Sequence, residues 1–240
     1  MDLLEWKKLN SKISFVETKK KFFKEYYYNI KYNCPGGRII LSHPDGDEFR
    51  IADAIDVRHQ RHRLYNYGGS WRANKEQINK INVPQLVSFN AVRKQYIDQI
   101  KMRVEEPYIT FYTATEDLLF KIASQHLKAW DADIVSISRP TNDYVKTLLD
   151  AGSIVAKSDN GYRYKFICKD GLCTNKDSIC AYLENLEDQV KVSRAVKNML
   201  EKDNKFIWGA WFYANDIQLA NMLNIIEPNF ITNIHEVVVA

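Results

Sequence analysis

The sequence predicts an α+β protein: a mixed sheet with helices packed on it, built from ferredoxin-like βαβ units and preceded by a β-hairpin and helices. Three observations carry this reading. A hydrophobic content of 45% over 240 residues is enough for a core. A period-2 apolar segment over residues 21–33 runs through a turn cluster into a second short apolar stretch at 38–42. Farther on, strand-like and helix-like periods alternate as βαβ units require.

From residue 21 to residue 33, Phe22, Tyr26, Tyr28, Ile30 and Tyr32 fall on one side of an alternating pattern. That segment runs through Cys34-Pro35-Gly36-Gly37 into Arg38-Ile39-Ile40-Leu41-Ser42, which reads as the second arm of a hairpin. His43-Pro44-Asp45-Gly46-Asp47 ends it. Ile51, Ala54 and Ile55 stand at helical spacing between Glu48 and Leu64, with Arg50, Arg58 and Arg61 left for the outer face. A glycine-containing loop follows from Tyr65 to Asn74, then a helix from Pro84 to Gln99 and extended segments at 101–104 and 108–113 broken by Pro107.

The second part opens with a strand at 108–112, a helix from Thr115 to Lys128 and a strand at 134–138; Thr113 and Glu116 have capping-box spacing. A similar unit closes the chain, with a strand from Phe206 to Ala214, a helix from Asn215 to Ile226 and a strand from Phe230 to Val239. Phe111-Tyr112-Thr113 before one helix and Phe212-Tyr213-Ala214 before the other make a faint internal repeat. Between them the pattern places a helix from Asn142 to Leu149, a strand from Tyr162 to Lys169, and helices from Asn175 to Leu186 and Ser193 to Lys202. The predicted core is Phe111, Leu119, Ile122, Ile137, Phe166, Leu183, Leu219 and Leu223, in a single sheet over residues 107–240.

Charge divides the chain unevenly. Residues 1–106 hold 20 Lys and Arg against 13 Asp and Glu, whereas residues 107–240 hold 14 against 17. A basic N-terminal module (1–106) and an α+β module (107–240) are the expected domains, and a polyanion would meet the first. The 12% aromatic content lies far from the aromatic-poor composition of disordered chains. No apolar run reaches the length of a membrane span, and Met1 to Lys7 lacks a signal peptide's apolar segment, so no membrane partner and a cytoplasmic location are expected. Cys34, Cys168, Cys173 and Cys180 are expected as free thiols, because their spacing suits neither a zinc site nor a secreted framework.

Arg58-His59-Gln60-Arg61-His62-Arg63 gathers three arginines in six residues. Guanidinium forks match phosphate oxygens, so Arg58, Arg61 and Arg63 are candidate phosphate contacts, against the plainer reading of a solvated helix face. Tyr67, Trp71 and Arg72, beside the Gly68-Gly69 pair, suit stacking on bases or gripping a partner, or else Trp71 folds back onto the core. Lys19-Lys20-Lys21 and a hairpin face with Phe23, Tyr27 and Lys31 add further cations and rings. His59 and His62, with Asp56, His43, Asp45 and Asp47 nearby, are the residues a metal-dependent nuclease would use; the Asp-Gly-Asp stretch is more simply a turn.

No phosphate loop, dinucleotide fingerprint, nucleophile elbow, zincin motif or EF-hand is present in the sequence, so no catalytic residue, cofactor or metal is assigned. Tyr65-Asn66-Tyr67-Gly68-Gly69-Ser70-Trp71 and the stretch from Arg103 to Thr113 resemble pieces of uncharacterised tailed-bacteriophage proteins. That resemblance implies a viral origin and the host cytoplasm as location. The expected function is a non-enzymatic accessory protein that binds DNA or RNA through Arg58, Arg61, Arg63, Tyr67, Trp71 and Arg72. A structural or adaptor protein with a protein partner or a homo-oligomeric contact is the alternative, since the same residue types anchor protein interfaces.

Overall fold

The computed structural model describes residues 3–64, 81–186, 188–201 and 206–240, and of 58–64 and 199–201 the backbone alone. The chain divides into two compact units, 1–141 and 142–240. The boundary expected at 106/107 falls instead at the tip of a hairpin inside the first unit, because β4 (Tyr108–Thr113) pairs with both β2 (Tyr28–Asn33) and β3 (Ile100–Glu105).

The first unit holds a five-stranded mixed sheet in the order β1-β5-β2-β4-β3, with β1 at Ser14–Thr18 and β5 at Ile134–Pro140. Only the β1–β5 pair is parallel. Among the described residues its α-helices are α1 (Leu3–Leu9), α2 (Arg38–Ser42), α3 (Glu48–Leu64), α4 (Val83–Gln95) and α5 (Glu116–Lys121). Alternation along β2 and β4 sends Ile30, Tyr32, Ile109 and Phe111 into one core with Trp6, Ile51, Leu86, Phe89, Leu119 and Ile122. Phe89 lies flat on Phe111, ring centroids 5.5 Å apart, and edge-on to Tyr32. Asn82 starts α4 by accepting the Gln85 amide at 3.1 Å, with Pro84 in the first turn.

Two local expectations fail here. The hairpin read over residues 21–42 does not form: residues 22–26 make a tight turn closed by a Phe22–Tyr26 bridge, and 38–42 are helical. The Glu106 carboxylate explains the second, accepting the backbone N–H groups of Gly36 at 3.0 Å and Arg38 at 3.1 Å, where a helix start lacks partners. The Thr113–Glu116 capping box is also not made. Thr113 donates to the Thr115 carbonyl, Glu116 accepts the Trp6 indole N–H at 3.0 Å, and the helix passes into a π-turn at Ile122–His126.

The second unit holds α6 (Asp143–Asp150), β6 (Ile154–Ala156), β7 (Tyr164–Cys168), β8 (Gly171–Leu172), α7 (Lys176–Glu184), β9 (Val190–Val192), α8 (Arg194–Glu201), β10 (Phe206–Ile207), β11 (Trp211–Ala214), α9 (Leu219–Ile226) and β12 (Ile231–Val239). Its main sheet runs β6-β12-β7-β11-β9, and β8 and β10 make a separate ribbon. Phe166, Leu183, Phe212, Leu219, Leu223 and Phe230 form its core, where Phe166 stacks on Phe212 at 4.7 Å. All eight expected core residues are buried, but in two cores, four in each unit. The strand expected over 206–214 is broken at Gly209, φ 61°, which separates exposed Trp208 from half-buried Trp211. Asn215 does not cap α9; it accepts the Arg163 amide and donates to the Gly161 carbonyl.

The two sheets have the same topology. The order β1-β5-β2-β4-β3 matches β6-β12-β7-β11-β9 strand for strand, including one parallel pair at the edge. In each unit the crossover through α5 or α9 joins two parallel strands with an antiparallel strand, β2 or β7, between them. The central rows correspond: Met102, Phe111, Ile30 and Ile137 in one sheet, Val192, Phe212, Phe166 and Ile234 in the other.

In the second unit a buried carboxylate pins the turn after β7. Glu227, 3% exposed, bonds to the Lys169 ammonium, the Thr174 hydroxyl at 2.7 Å and the Asn175 amide at 2.8 Å. Burial pushes its pKa up, but these donors outweigh that and hold it near 2. Among the described residues no helix is long and apolar enough to cross a membrane.

Candidate nucleic-acid interface

Helices cover one face of each sheet, and the opposite faces carry rings and cations. On β11, Phe212 and Ala214 are buried in the core while Trp211 and Tyr213 stand half-buried on the other side, as a period of two requires. β7 places Lys165 directly opposite Tyr213 and Ile167 opposite Trp211. The Lys165 ammonium sits 4.5 Å from the Trp211 ring centroid and 5.8 Å from that of Tyr213. Partial burial there draws its pKa below the usual lysine value.

The same row continues outward. Lys191 on β9 faces Tyr213, and His235 on β12 faces Lys165. His235 Nδ1–H donates to the Gly152 carbonyl at 2.7 Å, which fixes the ring. Tyr162 stacks on Tyr213 with centroids 6.3 Å apart and planes 23° apart, and Trp211 meets Tyr213 edge-on at 5.0 Å. None of these residues is acidic, so the face combines π-surfaces with positive charge.

The first unit builds the corresponding face from Tyr108, Thr110 and Tyr112 on β4, Lys101 and Arg103 on β3, and Asn29 and Lys31 on β2. Lys31 lies 4.0 Å over the Tyr108 ring. Arg103 pairs with Glu105 at 2.5 Å, both half exposed. Burial raises the Tyr112 hydroxyl pKa, with the neighbouring Arg103 working in the opposite direction.

Of the site expected from sequence, Arg58, Arg61 and Arg63 lie on α3 but their side chains, like Tyr67, Trp71 and Arg72, are outside the described residues, as are the side chains of His59 and His62. Asp47 accepts the Arg50 amide at 2.9 Å at the start of α3, and His43 lies against the Ile39 carbonyl, so both serve local turns. Among the described residues no three His, Cys, Asp or Glu side chains gather as a metal site. Phe23 and Lys31 do reach one face, whereas Tyr27 is buried under Lys21.

Sequence reading missed the Lys165–Trp211–Tyr213 face. The alternation Trp-Phe-Tyr-Ala marked two outward rings, but the register that brings Lys165 to them was not visible. No family model, curated protein or solved structure matches the chain.

Proposed function

We propose that the protein is a non-enzymatic binder of single-stranded nucleic acid, and that the open face of the second sheet is a contact surface. The observation that carries this is the row Lys191–Tyr213–Lys165, with Trp211 beside it: two half-buried rings and two cations together on one side of the sheet. Every base offers a π-face, and in a single strand that face is free to stack on Trp211 or Tyr213 while lysines follow the phosphates. Bases in a duplex already stack on each other, so an unpaired strand is the better fit. The basic first part of the chain, with Arg58, Arg61, Arg63 and Arg72, adds attraction for the same polyanion.

The test is a titration of labelled single strands and duplexes over a range of salt. Trp211→Ala should weaken single-strand binding by about 1–3 kcal/mol with little change in salt slope. Lys191→Glu, at an exposed edge position, should lower the log-log slope by about 0.7. Absence of single-strand binding at low salt, or full binding by Trp211→Ala, ends this reading.

The adaptor alternative also has an observation in its favour. Leu172, Phe206 and Trp208 are all exposed, Leu172 and Phe206 as a cross-strand pair on the β8–β10 ribbon and Trp208 just after it. A complex whose affinity ignores salt and is lost in Trp208→Ala would favour that reading over nucleic-acid binding.

A further inference from the structure

We infer that the open face of the first sheet is a second stacking site for an unpaired base, held shut by the chain's own Phe22–Phe23 turn. The inference rests on the stacking role proposed for Tyr213 and extends it to the equivalent place in the other unit. Tyr112 follows Phe111 on β4 as Tyr213 follows Phe212 on β11, and Phe111 and Phe212 hold the same place in matching central rows. Each tyrosine faces a lysine on the edge strand, Lys101 on β3 and Lys191 on β9.

The two tyrosines differ in what covers them. Tyr213 is half-buried, whereas Tyr112 is only 7% exposed. Phe22 and Phe23 account for this, with ring centroids 5.3 and 4.9 Å from that of Tyr112. Lys101 completes the arrangement 5.8 Å from the Phe23 ring. Phe23 meets Tyr112 edge-on, planes 87° apart, and Phe22 is tilted at 53°, so the two rings cover the tyrosine where a base would otherwise lie against it.

The turn is closed by hydrogen bonds of its own. Phe22 and Tyr26 exchange backbone hydrogen bonds at 2.7 and 2.9 Å, and the Glu25 amide donates to the Phe22 carbonyl at 3.1 Å, so the turn carries its own hydrogen bonds with it. Phe23 and Lys24 both hold left-handed φ angles, 52° and 67°, which side-chain-bearing residues adopt at a cost. Phe23 remains 48% exposed, so its ring covers Tyr112 without being sealed in the core. A strand that displaces the two rings gains Tyr112, Lys101 and Arg103.

The experiment uses the full chain and an oligothymidylate of about six nucleotides, a length one such site can hold. Stoichiometry is measured in the wild type, Phe23→Ala and Phe22→Ala/Phe23→Ala, each with and without Trp211→Ala. Nitration of Tyr112, mapped by mass spectrometry, reports opening of the face independently of any ligand. Phe23→Ala should nitrate Tyr112 several-fold faster and bind two strands per chain, the second surviving Trp211→Ala and lost on adding Lys101→Glu. A single strand per chain in Phe23→Ala, or unchanged nitration, overturns the inference while Trp211-dependent binding in the wild type upholds the parent reading. No binding by the wild type together with Trp211-independent binding by Phe23→Ala does the reverse. Thermal melts establish folding, and if the double variant does not fold, the half-exposed Phe23 site alone decides the outcome.

Discussion

Glu227 should make the second unit acid-sensitive in a defined window. Its carboxyl is held near 2 against an ordinary 4.5. A folded pKa below the unfolded one means that the stabilisation is complete above about pH 4.5 and fades as pH falls toward 2. At 1.36 kcal/mol per pKa unit the full shift corresponds to about 3 kcal/mol. The Lys169 side chain keeps 22% of its exposure, and screening by solvent there reduces the expected contribution to about 2–3 kcal/mol. Urea denaturation at pH 7, 4.5, 3 and 2.5, followed by tryptophan fluorescence in wild type and Glu227→Gln, measures it. Other carboxylates titrate alike in both proteins, so the difference between them isolates Glu227. That difference should be largest at pH 7, where the variant leaves Lys169 facing an amide, and should shrink as the solution is acidified. Equal stability at pH 7, or a difference that does not change between pH 4.5 and 2.5, would refute the assignment of this carboxylate as a charged structural pin.

Two other outcomes follow from packing. A Cβ added at Gly37 would stand 2.8 Å from Ile109 and 2.9 Å from Val104, so Gly37→Ala should cost roughly 1–3 kcal/mol in a denaturation experiment; a neutral substitution would mean that α2 shifts freely. Cys34, Cys168, Cys173 and Cys180 are buried and unbridged, and burial pushes the Cys168 thiol up to about 12 and lifts that of Cys34 well above the usual thiol range. Alkylation at pH 8 should therefore be slow in the native protein and reach four groups after denaturation, and rapid native labelling of Cys34 or Cys168 would contradict their place in the core.

Local signals carried the sequence reading where the cause was local. Asn142 starts α6 by accepting the Val145 amide at 2.8 Å, and Ile51 and Ile55 turn inward from α3 as their spacing indicates. The failures have distant causes. Ile39-Ile40-Leu41 suits a strand or a helix, and the carboxylate that decides it belongs to Glu106, about 70 residues away in sequence. The alternation over 22–32 includes a turn because Phe22 bonds to Tyr26 rather than to a neighbouring strand. Charge composition drew a boundary at 106/107, but strand pairing ignores net charge, and β4 belongs with β2. The candidate face depends on register: Lys165 and Tyr213 become neighbours only when β7 and β11 pair, and a shift of one residue would bury the rings instead.

The position of β5 has a consequence for how the first unit is made. It enters between β1 and β2, and among the described residues it is the only strand paired with β1, joining Ser14 to Ser136 across most of the unit. Until residues 134–140 exist, β1 has no partner in the sheet and β2 presents an open edge. Synthesis can complete the β3–β4 hairpin early, since its arms are adjacent in sequence, but the sheet closes only with its last strand. A chain interrupted before residue 134 would therefore leave bare backbone on β2, the kind of edge along which unfinished polypeptides adhere to one another.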